Sequence, residues 1–362
     1  MSVAELARAE VRALAAYAPD VAECAIDVSD NTNLWGAAPA ALRALAAVQP
    51  ATVARYPALY AGALGPAILR YLRLDSAGDL RVVTGCGSDD VLDAAMRAFG
   101  PVGARLAFSA PTFSMIPAFA RLNGIEPVAI PLTETFDVDA ERLVACDAEI
   151  TYLCTPNNPT ATPLSRAAVE YVAANARGVV IIDQAYAEFA PDVFDALVAR
   201  HERLLVTRTF SKAFGLAGLR VGYGVSQPEL AGYLERARGP YKVNALAERA
   251  VLASLEESDD ALGWVRAHAA LAIEMRTRLT AGLRALGLAP LPSAGNFVFV
   301  PTAQARRIAA GLRERGILVR VFSGMPRDVA PLAAEDGFAL RIGVGPAATM
   351  DAVLTGLTEV LT

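Results

Sequence analysis

Lys212 and Lys242 are the only lysines among 33 basic residues, which leaves 31 arginines. Lys212 lies in RTFSKAFGLAGLR, Arg208 to Arg220, after the hydroxyls of Thr209 and Ser211 and before Gly215, Gly218 and Arg220. Arginine can meet every need for a surface cation, but only a primary amine condenses with a carbonyl. Hydroxyls and a fixed guanidinium nearby would lower the pKa of such an amine, as that chemistry requires.

Three more polar motifs stand where apolar runs end. In VVTGCGSDDVLDAAM a strand pattern runs into Gly87, Ser88 and Asp89 at the start of an amphipathic helix, where free N–H groups suit a phosphate. The dinucleotide pattern G-x-G-x-x-G is not completed, because Asp90 stands at the third glycine. YLCTPNNPT ends a strand in Asn157 and Asn158, two carboxamides held between prolines. VVIIDQAY puts Asp183 at the end of an apolar strand, with Tyr186 three residues on. A carboxylate there is costly unless it meets a cation or several donors.

Taken together, the four motifs describe one ligand, an aromatic aldehyde carrying a basic ring nitrogen and a phosphate: pyridoxal 5'-phosphate. Lys212 would condense with the aldehyde, Asp183 would pair with the protonated ring nitrogen, and Tyr186 and Asn158 would hydrogen-bond the ring oxygen. The phosphate would sit against Gly87, Ser88 and Asp89, with Thr209, Ser211 and Arg220 around it. The catalytic set is Lys212, Asp183 and Tyr186.

These motifs need elements that bring them to one edge. From Arg81 to Val225 the runs RVVT, ARLAF, EPVAI, ITYLC, GVVIID, RLLVT and LRVGYGV read as short strands, most of them separated by helix-length segments. That alternation predicts an α/β unit with a mostly parallel sheet, which binds ligands beyond the carboxyl ends of its strands. After Pro240 the chain predicts one or two long helices to about Leu286. Strands at NFVFVP, ILVRVF and FALRIGV follow, with helices over 303–315 and 347–361. Residues 3–16 predict one helix. The domain reading is a large cofactor-binding domain over 46–240 and a smaller α+β domain formed by 1–45 and 241–362.

The motifs GCGSDD, APTF, TPNNPT, IIDQAY, RTFSKAFGLAGLRVGY and LRIGVG occur in this order across nearly the whole chain. In them the sequence resembles the fold-type I pyridoxal-phosphate aminotransferases of class I/II, closest to the histidinol-phosphate aminotransferase group. The resemblance implies that Phe113 stacks on the cofactor ring. It implies that Tyr56 reaches the phosphate of the neighbouring subunit's cofactor, and hence a homodimer with shared sites. Arg341 would grip a substrate carboxylate or phosphate. Tyr17 and Arg320 match substrate-phosphate contacts, and Gly36 of NTNLWG lines the substrate side. The sequence departs from the family at Ala161, where glycine is usual, at Leu34, where proline is usual, and at Phe113, where tyrosine is commoner. The implied reaction moves an amino group from histidinol phosphate to 2-oxoglutarate, as a step of histidine biosynthesis. Aromatic or other amino-acid aminotransferases and threonine-phosphate decarboxylase share nearly every motif.

Bulk properties narrow the classes. A net charge of −5 with scattered arginines gives no footprint for nucleic acid. Four cysteines without a C-x-x-C pair and only two histidines leave almost no material for a metal site or a Ser-His-Asp triad. No run reaches about 18 uncharged apolar residues, so no membrane span is expected, and the address is cytoplasmic. A dehydrogenase would not need Lys212, and a regulatory binding protein on this fold would bring an added DNA-binding segment.

Overall fold

The computed structural model describes residues 2–14 and 23–362. Its centre is a seven-stranded sheet built from β2 (Arg81–Cys86), β3 (Arg105–Ala110), β4 (Glu126–Pro131), β5 (Ile150–Cys154), β6 (Val179–Asp183), β7 (Leu204–Thr209) and β8 (Val221–Ser226). The spatial order is β2-β8-β7-β6-β5-β3-β4. Every neighbouring pair is parallel except those made by β8, which runs antiparallel to both β2 and β7. The seven runs read from the sequence are these strands. In β5, β6 and β7 a near-continuous apolar character goes with burial on both faces, which a parallel sheet under helices imposes.

The period-two alternation of a strand sorts the side chains into two cores. On one face Val83, Leu106, Ile150, Tyr152, Ile181 and Leu205 pack with the helix Ser88–Phe99. On the other, Val82, Leu153, Val180, Ile182, Leu204 and Val206 join a larger core that continues through the C-terminal third. Asp183 follows Ile181 by two, and Thr207 and Thr209 follow Leu205, so these three polar ends share the first face. Arg208 points to the second.

There the Arg208 guanidinium meets two acids, Glu188 at 3.3 Å and Asp195 more closely, and Glu188 also accepts from the Tyr71 hydroxyl at 3.0 Å. All three charged side chains are more than nine-tenths buried. Burial raises the pKa of Glu188, and the Arg208 charge opposes that rise.

In the last third, β9 (Phe297–Pro301), β11 (Arg320–Phe322) and β12 (Ala339–Gly343) form an antiparallel sheet in the order β11-β12-β9. The predicted run ILVRVF divides at Val319. Its first half, β10 (Ile317–Leu318), pairs in parallel with β1 (Ile26–Asp27) instead. The two long helices are Ala245–Ser254 and Leu262–Ala285.

The single helix expected over 3–16 is corrected to two one-turn helices, Val3–Leu6 and Ala9–Arg12. Ala7 between them is extended, and Arg8 turns away to donate to the Leu122 carbonyl at 2.9 Å. Ala161, the departure from glycine, has φ +63° and is fully buried. Its left-handed backbone is fixed by its N–H to Asn157 and by the Ala294 N–H to its carbonyl.

Replacing Arg208 with methionine would leave two buried acids without their cation. We expect the free energy of unfolding to fall by about 3–5 kcal/mol in urea denaturation. A loss under about 1 kcal/mol would show that these charges are not desolvated.

Candidate active site

The carboxyl ends of β2, β5, β6 and β7 lie along one edge. Register pairs Cys154 with Asp183 and Asp183 with Thr207, while Cys86 at the end of β2 lies opposite Val221 of β8. The turn that carries Lys212 leaves β7 at this edge and returns as β8.

Asp183 is 4% exposed. It accepts from the Tyr152 hydroxyl at 2.8 Å and from the Ala185 N–H at 3.1 Å. Burial lifts its pKa to about 6 against the pull of those bonds. Nearby, burial and then the Arg341 charge push the Lys212 amine down to about 8. Its Nζ is 3.4 Å from the Asp30 carbonyl and 5.9 Å from the centre of the Tyr186 ring. The Tyr186 hydroxyl accepts from Asn31 Nδ2 at 3.1 Å, and burial raises its pKa to about 12.

The residues expected to receive an anion lie together. The Thr209 hydroxyl donates to Ser211 Oγ at 2.9 Å, and Arg220 reaches Ser211 at 3.5 Å and Asp89 at 3.3 Å. Gly87 has φ +79°, and a Cβ there would stand 2.6 Å from Arg220 Nη2. A Cβ on Gly222 of β8 would stand 2.1 Å from the Ser88 nitrogen. The turn is therefore pressed by Arg220 on one side and by β8 on the other. Burial raises the pKa of Asp89, and the Arg220 charge opposes it.

Arg341 of β12, expected on the substrate side, donates to Asn158 Oδ1 at 2.8 Å and to the Ser29 carbonyl at 2.6 Å. Its guanidinium lies 5.5 Å from the ring centres of both Phe297 and Phe322. Arg320 of β11 stands directly opposite Arg341 in the register, so both side chains leave the same face of the sheet. Gly36 packs on the Lys212 turn, since a Cβ on Gly215 would fall 1.9 Å from its carbonyl oxygen. Phe113 is half-buried against the core cluster that holds Cys154 and Phe108. Tyr56 is 83% exposed and stacks on Tyr241 at 4.9 Å, apart from the groups just described. Tyr17 lies outside the described residues.

Sequence reasoning missed Tyr152, Asn31 and the backbone of Ser29-Asp30-Asn31. A tyrosine inside the apolar run ITYLC was the one available signal. The carbonyl partners carry none, because a main-chain acceptor has no residue type.

The donor set fits pyridoxal phosphate. A buried carboxylate held by neutral donors suits a protonated ring nitrogen. The glycine cradle with Ser211, Thr209 and Arg220 suits a phosphate, and the low-pKa amine suits an aldehyde. Among the described residues, no three His, Cys, Asp or Glu side chains gather as metal ligands, and no helix is long and apolar enough to cross a membrane.

Solved structures share this architecture. Histidinol-phosphate aminotransferase from Sinorhizobium meliloti, determined in complex with pyridoxal-5'-phosphate, superposes with a TM-score of 0.85 at 26% identity, covering 98% of this chain and 96% of that one. Aspartate aminotransferase from Thermus thermophilus superposes at 0.78 and 20% identity, covering 93% and 92%, and shares the fold. Fold and site thus define a fold-type I aminotransferase. The pattern of the aminotransferase class I and II family matches residues 25–357, and the chain belongs to that family. Among curated relatives, histidinol-phosphate aminotransferase from Roseiflexus castenholzii is 38% identical over 99% of both chains. That from Geobacter sulfurreducens is 33% identical over 98% of this chain and 99% of its own.

The lowered amine pKa has a direct readout. Acylation of Lys212 in the cofactor-free protein, followed by peptide mass, should rise with pH through a midpoint near 8, whereas an ordinary lysine titrates near ~10.4. Through this group, folding stability should increase as pH rises from about 8 toward the ordinary lysine range, because there the unfolded chain binds the extra proton. A Lys212 midpoint at the ordinary value would refute the desolvated environment.

Proposed function

We propose that this chain is a pyridoxal-phosphate-dependent aminotransferase that takes the amino group of histidinol phosphate and passes it to 2-oxoglutarate, a step of histidine biosynthesis. The observation that carries the substrate choice is the Arg320–Arg341 cross-strand pair. Two guanidiniums leaving one face suit an anion of high charge lying between them. A donor that bears a phosphate meets that need, and the curated relatives' printed names support it.

When bound, the cofactor supplies an electron sink for the pair released at the substrate Cα. Lys212 would anchor it and is placed to hold and move the proton at the substrate Cα. A pKa of about 8 leaves a useful fraction of the amine neutral at neutral pH. Asp183 would keep the ring nitrogen protonated, and Tyr152 and Ala185 hold Asp183. Tyr186 and Asn158 would hold the ring oxygen, Phe113 the ring face, and Gly87, Ser88, Asp89, Thr209, Ser211 and Arg220 the phosphate. Gly36 closes the substrate side of the Lys212 turn.

We further propose a cytoplasmic homodimer in which Tyr56 serves the neighbouring site. Its 83% exposure in the single chain supports this role. The division into a large domain over 46–240 and a small one from 1–45 and 241–362 is part of the same reading.

The deciding experiment follows the visible spectrum of the cofactor-loaded protein on separate additions of histidinol phosphate, phenylalanine and threonine phosphate. Bleaching by histidinol phosphate at the lowest concentration supports the proposal. A preference for phenylalanine, or carbon dioxide release from threonine phosphate, overturns it. Arg320→Ala should raise KM for histidinol phosphate about 10–100-fold, the loss of a charge-assisted phosphate contact, and leave KM for phenylalanine nearly unchanged. Equal effects on both donors would remove Arg320 from phosphate recognition.

A further inference from the structure

The second lysine also stands at this edge. Lys242 lies between the helices Pro228–Ala237 and Ala245–Ser254, and its Nζ is 2.8 Å from Asp90 Oδ1. The other oxygen of the same carboxylate accepts from the Cys86 N–H at 3.2 Å. Asp90 thus bends back over the turn that starts its own helix. The space it occupies explains Gly85, since a Cβ there would meet Asp90 Oδ2 at 3.0 Å. The pair is mostly buried, with the side chains 26% and 11% exposed.

Charge makes this contact matter. The helix opens with Ser88, Asp89 and Asp90, two acids in the turn that must receive a phosphate. Asp89 is matched by Arg220, which the phosphate also needs. Asp90 would repel the same anion unless a different cation neutralised it, and Lys242 is placed to do so. Nearby residues fix the lysine in place. Arg238 donates to the Thr84 carbonyl of β2, and the Tyr241 N–H reaches the Leu59 carbonyl at 3.4 Å.

The geometry points to Lys242 as a positioning residue for the cofactor phosphate: through Asp90 it fixes the Gly85–Ser88 turn and cancels the carboxylate charge beside it. This inference rests on the cofactor reading above. It assigns a role to a residue that touches neither the ring nor the reacting carbon.

The test compares pyridoxal phosphate with pyridoxal, which lacks the phosphate, by spectral titration of full-length protein freed of cofactor. For Lys242→Met we expect the dissociation constant for pyridoxal phosphate to rise about tenfold, and that for pyridoxal to change less than about twofold. Lys242→Arg should recover most of the loss. Adding Asp90→Asn to Lys242→Met should also recover it, because the amide oxygen still accepts from Cys86 while the repulsive charge is gone. Equal weakening of both ligands, or of neither, would overturn the inference and leave the cofactor reading intact. A wild-type protein that bound neither ligand would overturn both.

Discussion

A carboxylate at the dry end of a parallel strand is the constraint on which the site depends. Asp183 cannot be hydrated, and its partners Tyr152 and Ala185 are neutral. Such a group is tolerated only where a cation completes it or where its proton returns. The sheet places it between β5 and β7, opposite Cys154 and Thr207, with the strand ends aligned by register. Lys212 is subject to the same desolvation with the opposite sign. One dry environment thus raises the acid and lowers the amine, and both shifts favour a ligand that brings a positive ring nitrogen and an electrophilic carbon.

The opposite face of the sheet secures this edge. Arg208 is one residue from Thr209 and points the other way, into Glu188 and Asp195. Glu188 is two residues beyond Tyr186, so the ion cluster ties the turn after β6 to the end of β7. Three mutually buried charges are an expensive means of cohesion. They fix geometry where apolar contacts would allow sliding, and the two turns they join carry Tyr186 and Lys212.

Much of this was legible in the sequence because it rests on residue type at strand ends. A lysine in an arginine-rich chain, an acid ending VVIID, and glycines before a helix each break a local pattern, and each break fell at the shared edge. The seven strands were legible for a related reason, since burial on both faces writes apolar runs. Less legible were features that depend on pairing. The run ILVRVF reads as one strand, and only the partners β1 and β12 divide it at Val319. The helix expected over 3–16 has good propensity, but Arg8 binds a distant carbonyl and Ala7 extends. Lys242 was visible as a rarity, and its partner Asp90 as a failed third glycine. Nothing in their separation of 152 positions joins the two observations.

The segment Ser29-Asp30-Asn31 belongs to no helix or strand. Its three consecutive carbonyls accept in turn from Arg341, Lys212 and Asn296, while the Asn31 side chain donates to Tyr186. Irregular segments usually absorb insertions and deletions during divergence, because their backbone answers to water. Here the backbone answers to three partners in a fixed order. One residue gained or lost would shift every carbonyl to the wrong claimant, so this connecting loop should evolve under the length restriction of an interior strand.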